Sequence, residues 1–250
     1  MNKKIIAFNW KMKPQSLLQA QTLAHLTQTC ADKNNNTEII IFPPFIYLQN
    51  LKIKNWKLKI GAQNIFWANQ GHYTGEISPK MLKNLGVEYV IIGHSERRRH
   101  LNETDEMINK KVLATLKTEL KVILCVGEPL EIRKKGKKAV ENFIKNQLEK
   151  DLKGIENLKS QIKNLMIAYE PIWAIGAGHS DTPKDAIEII NFIKNILKAK
   201  TYNLKLKILY GGSIDGKNIK NFVKYNEISG FLVGHASLNP KEIKTIIKSI

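Results

Sequence analysis

Eight short apolar runs alternate with segments of helical period along the chain, and this alternation limits the possible folds more than any other feature. The runs cover residues 4–8, 38–42, 59–62, 89–92, 121–126, 165–169, 207–210 and 230–233. Most are continuously apolar rather than alternating, the pattern of strands buried on both faces of a parallel sheet. The segments between them carry apolar residues at helical spacing, clearest over 16–30, 104–118, 131–152 and 183–198. Gly136 is a predicted break in the third of these. Ser78-Pro79, Thr182-Pro183 and Asn239-Pro240 each place a capping residue before a proline, which marks a helix start.

Parallel neighbours need crossover connections of one hand. Eight strand–helix units in 250 residues fit an α/β fold, a (β/α)8 barrel with eight parallel strands. A doubly wound open sheet is the alternative, but no Gly-x-Gly-x-x-Gly follows the first run. No linker or low-complexity tract divides the chain, so residues 1–250 are predicted to form one domain. The longest irregular stretch, 63–75, holds Phe66, Trp67 and Tyr73. It is too aromatic for a free linker and reads as a docking loop or a loop packed on its own domain.

Lys and Arg number 40 against 22 Asp and Glu, a formal net charge of +18. That balance invites a nucleic-acid reading, and two facts oppose it. Only Arg97, Arg98, Arg99 and Arg133 are arginines, although Arg is the residue suited to bidentate base and phosphate recognition. The lysines are spread over every segment rather than gathered in an arm. A general positive field still attracts a small anion. Two cysteines, Cys30 and Cys125, make no disulfide framework and suit a reducing compartment. No apolar run approaches the roughly 18 residues of a spanning helix, and Asn9 and Lys11 interrupt the apolar start of the chain. These features predict a soluble, cytoplasmic protein with no nucleic-acid or membrane partner.

In a parallel barrel the C-terminal strand ends share one face, and the active site forms there. The first run is followed by Asn9-Trp10-Lys11, the fourth by Gly93-His94-Ser95-Glu96-Arg97 and the sixth by Glu170-Pro171. The seventh leads into Gly211-Gly212-Ser213 and the eighth into Gly234-His235. An amine, an imidazole, a carboxylate and permissive backbone are thus delivered to one rim. Lys11 is a cation for a developing oxyanion, or one lysine among many. His94 is an acid, base or hydrogen-bond donor, or an ordinary polar side chain. Glu170 is the best general-base candidate, because Ile172-Trp173-Ala174-Ile175 and the glycines Gly176 and Gly178 form an apolar loop able to cover it. The alternative is an incidental acid in a strand–loop–helix connection. The glycine-rich stretches after the last two strands read as a phosphate cradle of backbone N–H groups.

Other chemistries find no support. His94, Glu96 and His100 lack the spacing of a zinc site. No Gly-x-x-x-x-Gly-Lys-Ser/Thr and no Gly-x-Ser-x-Gly occurs. Cys125 ends a core strand and reads as packing.

Asn9-Trp-Lys-Met12, Gly93-His-Ser-Glu-Arg-Arg98, Ala168-Tyr-Glu-Pro-Ile-Trp-Ala-Ile-Gly176, Tyr210-Gly-Gly-Ser213 and Gly230-Phe-Leu-Val-Gly234 occur in this order. On these motifs the chain resembles the triosephosphate isomerase family over essentially its full length. The resemblance implies interconversion of dihydroxyacetone phosphate and D-glyceraldehyde 3-phosphate, in glycolysis and gluconeogenesis, without metal or cofactor. Glu170 would be the base, His94 the electrophile, and Lys11, with Asn9 beside it, the stabiliser of an enediolate. Backbone near Gly176, Ser213, Gly234 and His235 would hold the phosphate, and Glu96 would help arrange the site. The loop around Thr74 would insert into a second copy, giving a homodimer. Two departures stand out. Gly176-Ala177-Gly178-His179 replaces the family's usual Gly-Thr-Gly-Lys and is followed by Ser180-Asp181, which bears on loop closure. His235 replaces a second glycine after the eighth strand, which bears on phosphate affinity. The rival readings are another phosphosugar isomerase and a basic barrel that binds polyanions.

Overall fold

The computed structural model describes residues 3–51, 56–175, 181–200 and 206–250. Among them, eight strands close into a barrel in sequence order, each parallel to the next, with the eighth paired to the first. The strands are β1 (Lys4–Asn9), β2 (Thr37–Phe42), β3 (Lys59–Ala62), β4 (Tyr89–Ile92), β5 (Lys121–Val126), β6 (Leu165–Tyr169), β7 (Lys207–Tyr210) and β8 (Gly230–Val233). The predicted runs match these to within one residue at either end.

The helices are α1 (Leu17–Asp32), α2 (Leu48–Leu51), α3 (Pro79–Leu85), α4 (Ser95–His100), α5 (Asp105–Lys117), α6 (Leu130–Arg133), α7 (Lys137–Asp151), α8 (Pro183–Lys200), α9 (Ile219–Val223) and α10 (Pro240–Lys248). The capping signals act as expected. The Ser78 side chain accepts from the Met81 N–H, and Asn239 accepts from Lys241 and Glu242. The predicted helix 131–152 is two helices, because Gly136 adopts φ 89° and breaks it between α6 and α7. Helix α4 carries no apolar period and was not predicted. The His94 ring caps its first turn, and Arg98 ties it back to the Gly93 carbonyl.

Two apolar clusters explain why the strands read as continuous runs. Inside the barrel lie Ile5, Ala7, Ile40, Phe42, Tyr89, Ile91, Ile123, Cys125, Met166, Ala168, Leu209 and Leu232. The intervening residues, such as Ile6, Phe8, Ile39 and Ile41, pack outward against the helices. Successive strand residues point to opposite faces, so a strand buried on both sides must be apolar throughout. Cys125 is therefore packing in the barrel interior, as its position predicted. The register keeps the strand ends level, with Asn9 opposite Phe42, Val126 opposite Tyr169, and Tyr169 opposite Tyr210. Residues just past those ends meet on one rim.

Candidate active site at the C-terminal rim

Asn9 is the last residue of β1, and its side-chain oxygen accepts the Lys11 N–H at 3.0 Å. This tight turn leaves Lys11 at φ 55°, in the left-handed region that a side chain normally avoids. The Gln63 amide donates to the carbonyls of Lys11 and Phe42, at 2.8 and 2.7 Å, and so clamps the strained turn onto β2. The Lys11 ammonium pairs with the Glu96 carboxylate. Its Cε would lie 3.1 Å from a Cβ built on Gly234. A side chain there would crowd the lysine where it crosses the rim.

His94 follows β4. Its Nδ1 accepts the Glu96 N–H at 3.3 Å. A ring nitrogen that accepts carries no proton, so this geometry places the imidazole proton on Nε2. Nε2 lies 3.2 Å from Glu170 Oε1. The other carboxylate oxygen of Glu170 accepts the Ser95 N–H at 3.1 Å. Glu170 itself is only 2 % exposed. Its backbone N–H donates to the Val126 carbonyl at 2.8 Å, which continues the β5–β6 ladder one residue past the strand. Glycines flank it on both sides. A Cβ on Gly127 would lie 1.7 Å from the Glu170 carbonyl oxygen, and one on Gly211 would lie 2.9 Å from Glu170 Cγ.

Burial pushes the Glu96 carboxyl upward, but the hydrogen bond from Lys11 and the neighbouring positive charges outweigh it, and its pKa is lowered. Cys125 lies beneath the site, where burial first and the Glu170 charge second push its thiol well up. Among the described residues, no group of three or more His, Cys, Asp or Glu side chains is placed to hold a metal ion.

Asn9, Lys11, His94, Glu170, Ile175, Gly211, Gly212, Ser213, Gly234 and His235 line one cavity of about 90 Å³. The structure therefore brings together every site residue expected from the sequence except Gly176, which lies outside the described residues, as do Ala177, Gly178, His179 and Ser180. His235 opens a 3-10 turn, His235–Leu238, is exposed, and borders the cavity. A larger hollow of about 720 Å³ lies between the ends of α1 and α10, beside Cys30 and Ile250. No acid–base set converges there, so its size does not make it the centre of chemistry.

Four contributors escaped the sequence reading: Gln63, the Ser95 N–H, Glu128 and Arg133. Glu128 is fully buried after β5 and accepts from the Trp173 indole at 2.9 Å and from the Tyr169 hydroxyl at 3.2 Å. Its position just past a strand end was the available signal. Arg133 stands 5.1 Å over the Trp173 ring and left no signal in a charged segment.

The arrangement pairs a buried carboxylate with an imidazole and a nearby ammonium, over glycine-rich backbone. It suits proton abstraction next to a carbonyl in a small anion. A family model described as triosephosphate isomerase matches residues 4–250. The chain is 44 % identical to a triosephosphate isomerase of Dictyoglomus turgidum over the full length of both. It is 45 % identical to one from Chloroherpeton thalassium, covering 100 % of this chain and 99 % of the relative. A relative of the same name from Caldanaerobacter subterraneus is 43 % identical, with 99 % of each chain covered. The chain belongs to the triosephosphate isomerase family, and it is an isomerase.

Proposed function

We propose that this chain interconverts dihydroxyacetone phosphate and D-glyceraldehyde 3-phosphate through an enediolate, with Glu170 as base, His94 as electrophile and Lys11 as the oxyanion's cation. The observation that carries this reading is the convergence of the three side chains on one small cavity. Glu170 removes a proton from the carbon beside the carbonyl. That carbon's electron pair forms the enediolate double bond, and the carbonyl oxygen becomes negative. The Nε2–H of His94 donates to that oxygen, and Lys11 stabilises the charge. His94 gives its Nε2 proton to that oxygen and takes the proton of the neighbouring hydroxyl. Return of the carbon proton from Glu170 to the former carbonyl carbon completes the exchange, leaving a carbonyl where the hydroxyl was. Glu170 now holds the Ser95 N–H and faces His94. To reach a substrate carbon it rotates away from both, which frees the Nε2–H for the substrate oxygens.

Backbone N–H groups of Ser213, Gly234 and His235, with Gly176, hold the phosphate in this reading, and Asn9 shapes the Lys11 turn. Glu96 keeps Lys11 on the rim before substrate arrives. No metal or cofactor enters the reaction. The whole chain, 1–250, works as one domain, in the cytoplasm, in glycolysis and gluconeogenesis. Two free thiols are compatible with that compartment, and no helix among the described residues is long and apolar enough to cross a membrane.

The working unit is a homodimer joined through the loop around Thr74. Large apolar side chains support it. Met12, Ile46, Tyr73 and Met81 are exposed on segments following β1, β2 and β3, which are neighbours in the barrel. Phe66 stacks on Trp67 at 4.0 Å and meets Tyr73 at 4.5 Å, giving the loop its own packing.

The test is a coupled assay of triose phosphate interconversion on the intact protein and on Glu170→Gln. Turnover should fall about 10²- to 10⁴-fold, the usual worth of acid–base catalysis. Full activity in the variant would remove Glu170 from the role of base.

A further inference from the structure

Asp181 closes the stretch that the sequence reading sets apart from the family's usual loop motif. It immediately precedes the Thr182-Pro183 start of α8, yet it is only 2 % exposed. A carboxylate so buried is costly unless it is held. Its Oδ1 accepts the Thr182 N–H at 2.9 Å and faces the Arg133 guanidinium at 3.3 Å. Its own N–H donates to the Tyr210 hydroxyl at 3.2 Å.

Arg133, at the end of α6, connects this acid to the segment that bears Glu170. The same guanidinium nitrogen reaches Asp185 of α8 at 3.3 Å, and the other lies 3.8 Å from Glu128. The guanidinium plane also covers the Trp173 indole. Glu128 in turn binds Tyr169, Trp173 and, through its carbonyl, the Ile172 N–H at 3.1 Å. These three residues sit one before, three after and two after Glu170. Asp185 is 42 % exposed at its side chain, so solvent weakens its hold on Arg133. Asp181 is the buried anchor of the guanidinium.

We propose that Asp181 is a positioning residue: by holding Arg133 between the Trp173 indole and the Glu128 carboxylate, it fixes the segment from Tyr169 to Trp173 that carries Glu170. The inference rests on the reading of Glu170 as the base. It makes the grip depend on pH. Among the described residues, the charged and titratable groups facing Asp181 are Arg133 of α6, Asp185 of α8, Glu128 after β5, Tyr169 of β6 and Tyr210 of β7. One cation thus faces three carboxylates. Burial above all, with Asp185 and Glu128 adding to it and Arg133 opposing, pushes the Asp181 carboxyl up to about 6. Asp181 is charged and grips Arg133 above that pH, and it is neutral and releases it below.

The test uses the full chain labelled with 5-fluorotryptophan, the Trp173 resonance being assigned with Trp173→Phe. Without substrate, that resonance should move with a midpoint near pH 6. In Asp181→Asn it should stay near its low-pH position, without that transition. The same variant at pH 8 should lose about three- to tenfold in kcat with KM changed less than twofold, because a positioning defect alters geometry rather than contact with substrate. Asp181→Ala should behave alike and serves if the amide variant folds poorly. An unchanged Trp173 titration in these variants would overturn the proposal, as would a kcat equal to that of the parent. The fluorine signal is read without turnover, so it stands apart from Glu170. Retained activity in Glu170→Gln would sink the base assignment while leaving the Asp181–Trp173 link to its own result.

Discussion

A methyl group on Gly211 tests how tightly Glu170, the proposed base, is placed. The Cβ of Gly211→Ala would lie 2.9 Å from Glu170 Cγ and 3.3 Å from the Tyr169 carbonyl oxygen. Carbons in contact prefer about 3.5–4.0 Å, so Cγ must give by roughly 0.6–1 Å. It cannot give freely. The backbone behind it is tied to Val126, so the base of the side chain has little room even when the carboxylate leaves Ser95 and His94 for the substrate. Gly211 cannot retreat either, since its N–H donates to the Tyr169 carbonyl at 2.7 Å. A displacement of about 1 Å at a reacting group costs on the order of 10²-fold in rate, equivalent to about 2.7 kcal/mol in the barrier. Crowding the packing should also cost about 1–3 kcal/mol of stability. Gly211→Ala should therefore fold and melt roughly 2–12 °C lower. Steady-state kinetics at 25 °C should show kcat reduced about 10²-fold, with KM little altered. A folded variant with kcat within threefold of the parent would refute the claim that Glu170 is sterically registered by its neighbour.

Lys11→Met keeps the bulk that crosses Gly234 and removes the charge; kcat should fall about 10²- to 10³-fold, the scale of losing one oxyanion donor, and unchanged kinetics would deny Lys11 that role. His235→Gly should leave kcat alone and change KM by less than about threefold if the backbone N–H carries the phosphate contact. A tenfold rise in KM would show that the imidazole itself binds. Thr74→Arg places a charge in the proposed subunit contact and should give a monomer by sedimentation velocity, with turnover reduced. A stable dimer of full activity would place the interface elsewhere.

The barrel was legible because its constraints are periodic. A strand buried on both faces must be apolar at every position, and each of the eight runs ends at a residue that breaks the pattern. Asn9, His94, Glu170, Gly211 and Gly234 stand just at those breaks, so the rule that strand ends converge was enough to assemble the site. Helix α4 escaped because Ser95–His100 has no apolar face to reveal it. Its first turn is capped by the His94 ring and held by the Arg98 side chain, contacts with no periodic signature, and the ring's bond sets which nitrogen faces Glu170. The turn at Lys11 escaped for a related reason. Its left-handed backbone is held by Asn9 and by Gln63, and Gln63 arrives from the end of another strand.

The least legible part is the group of Glu128, Arg133, Trp173 and Asp181. The topology does predict their neighbourhood, since β5, β6 and β7 adjoin and their trailing segments must meet. It does not predict the pairing. Arg133 sits in a run of charges, Glu131 to Lys138, where nothing distinguishes a partly buried, committed cation from a solvated one. Asp181 reads as an ordinary polar residue before a helix. Only the packing shows that the single guanidinium is committed between an indole and buried carboxylates. Strand periodicity fixes where the proposed base stands, and contacts between loops fix how firmly it is held. That is why Glu170 could be named from its place in the chain, whereas Asp181 showed there only as a departure from the family.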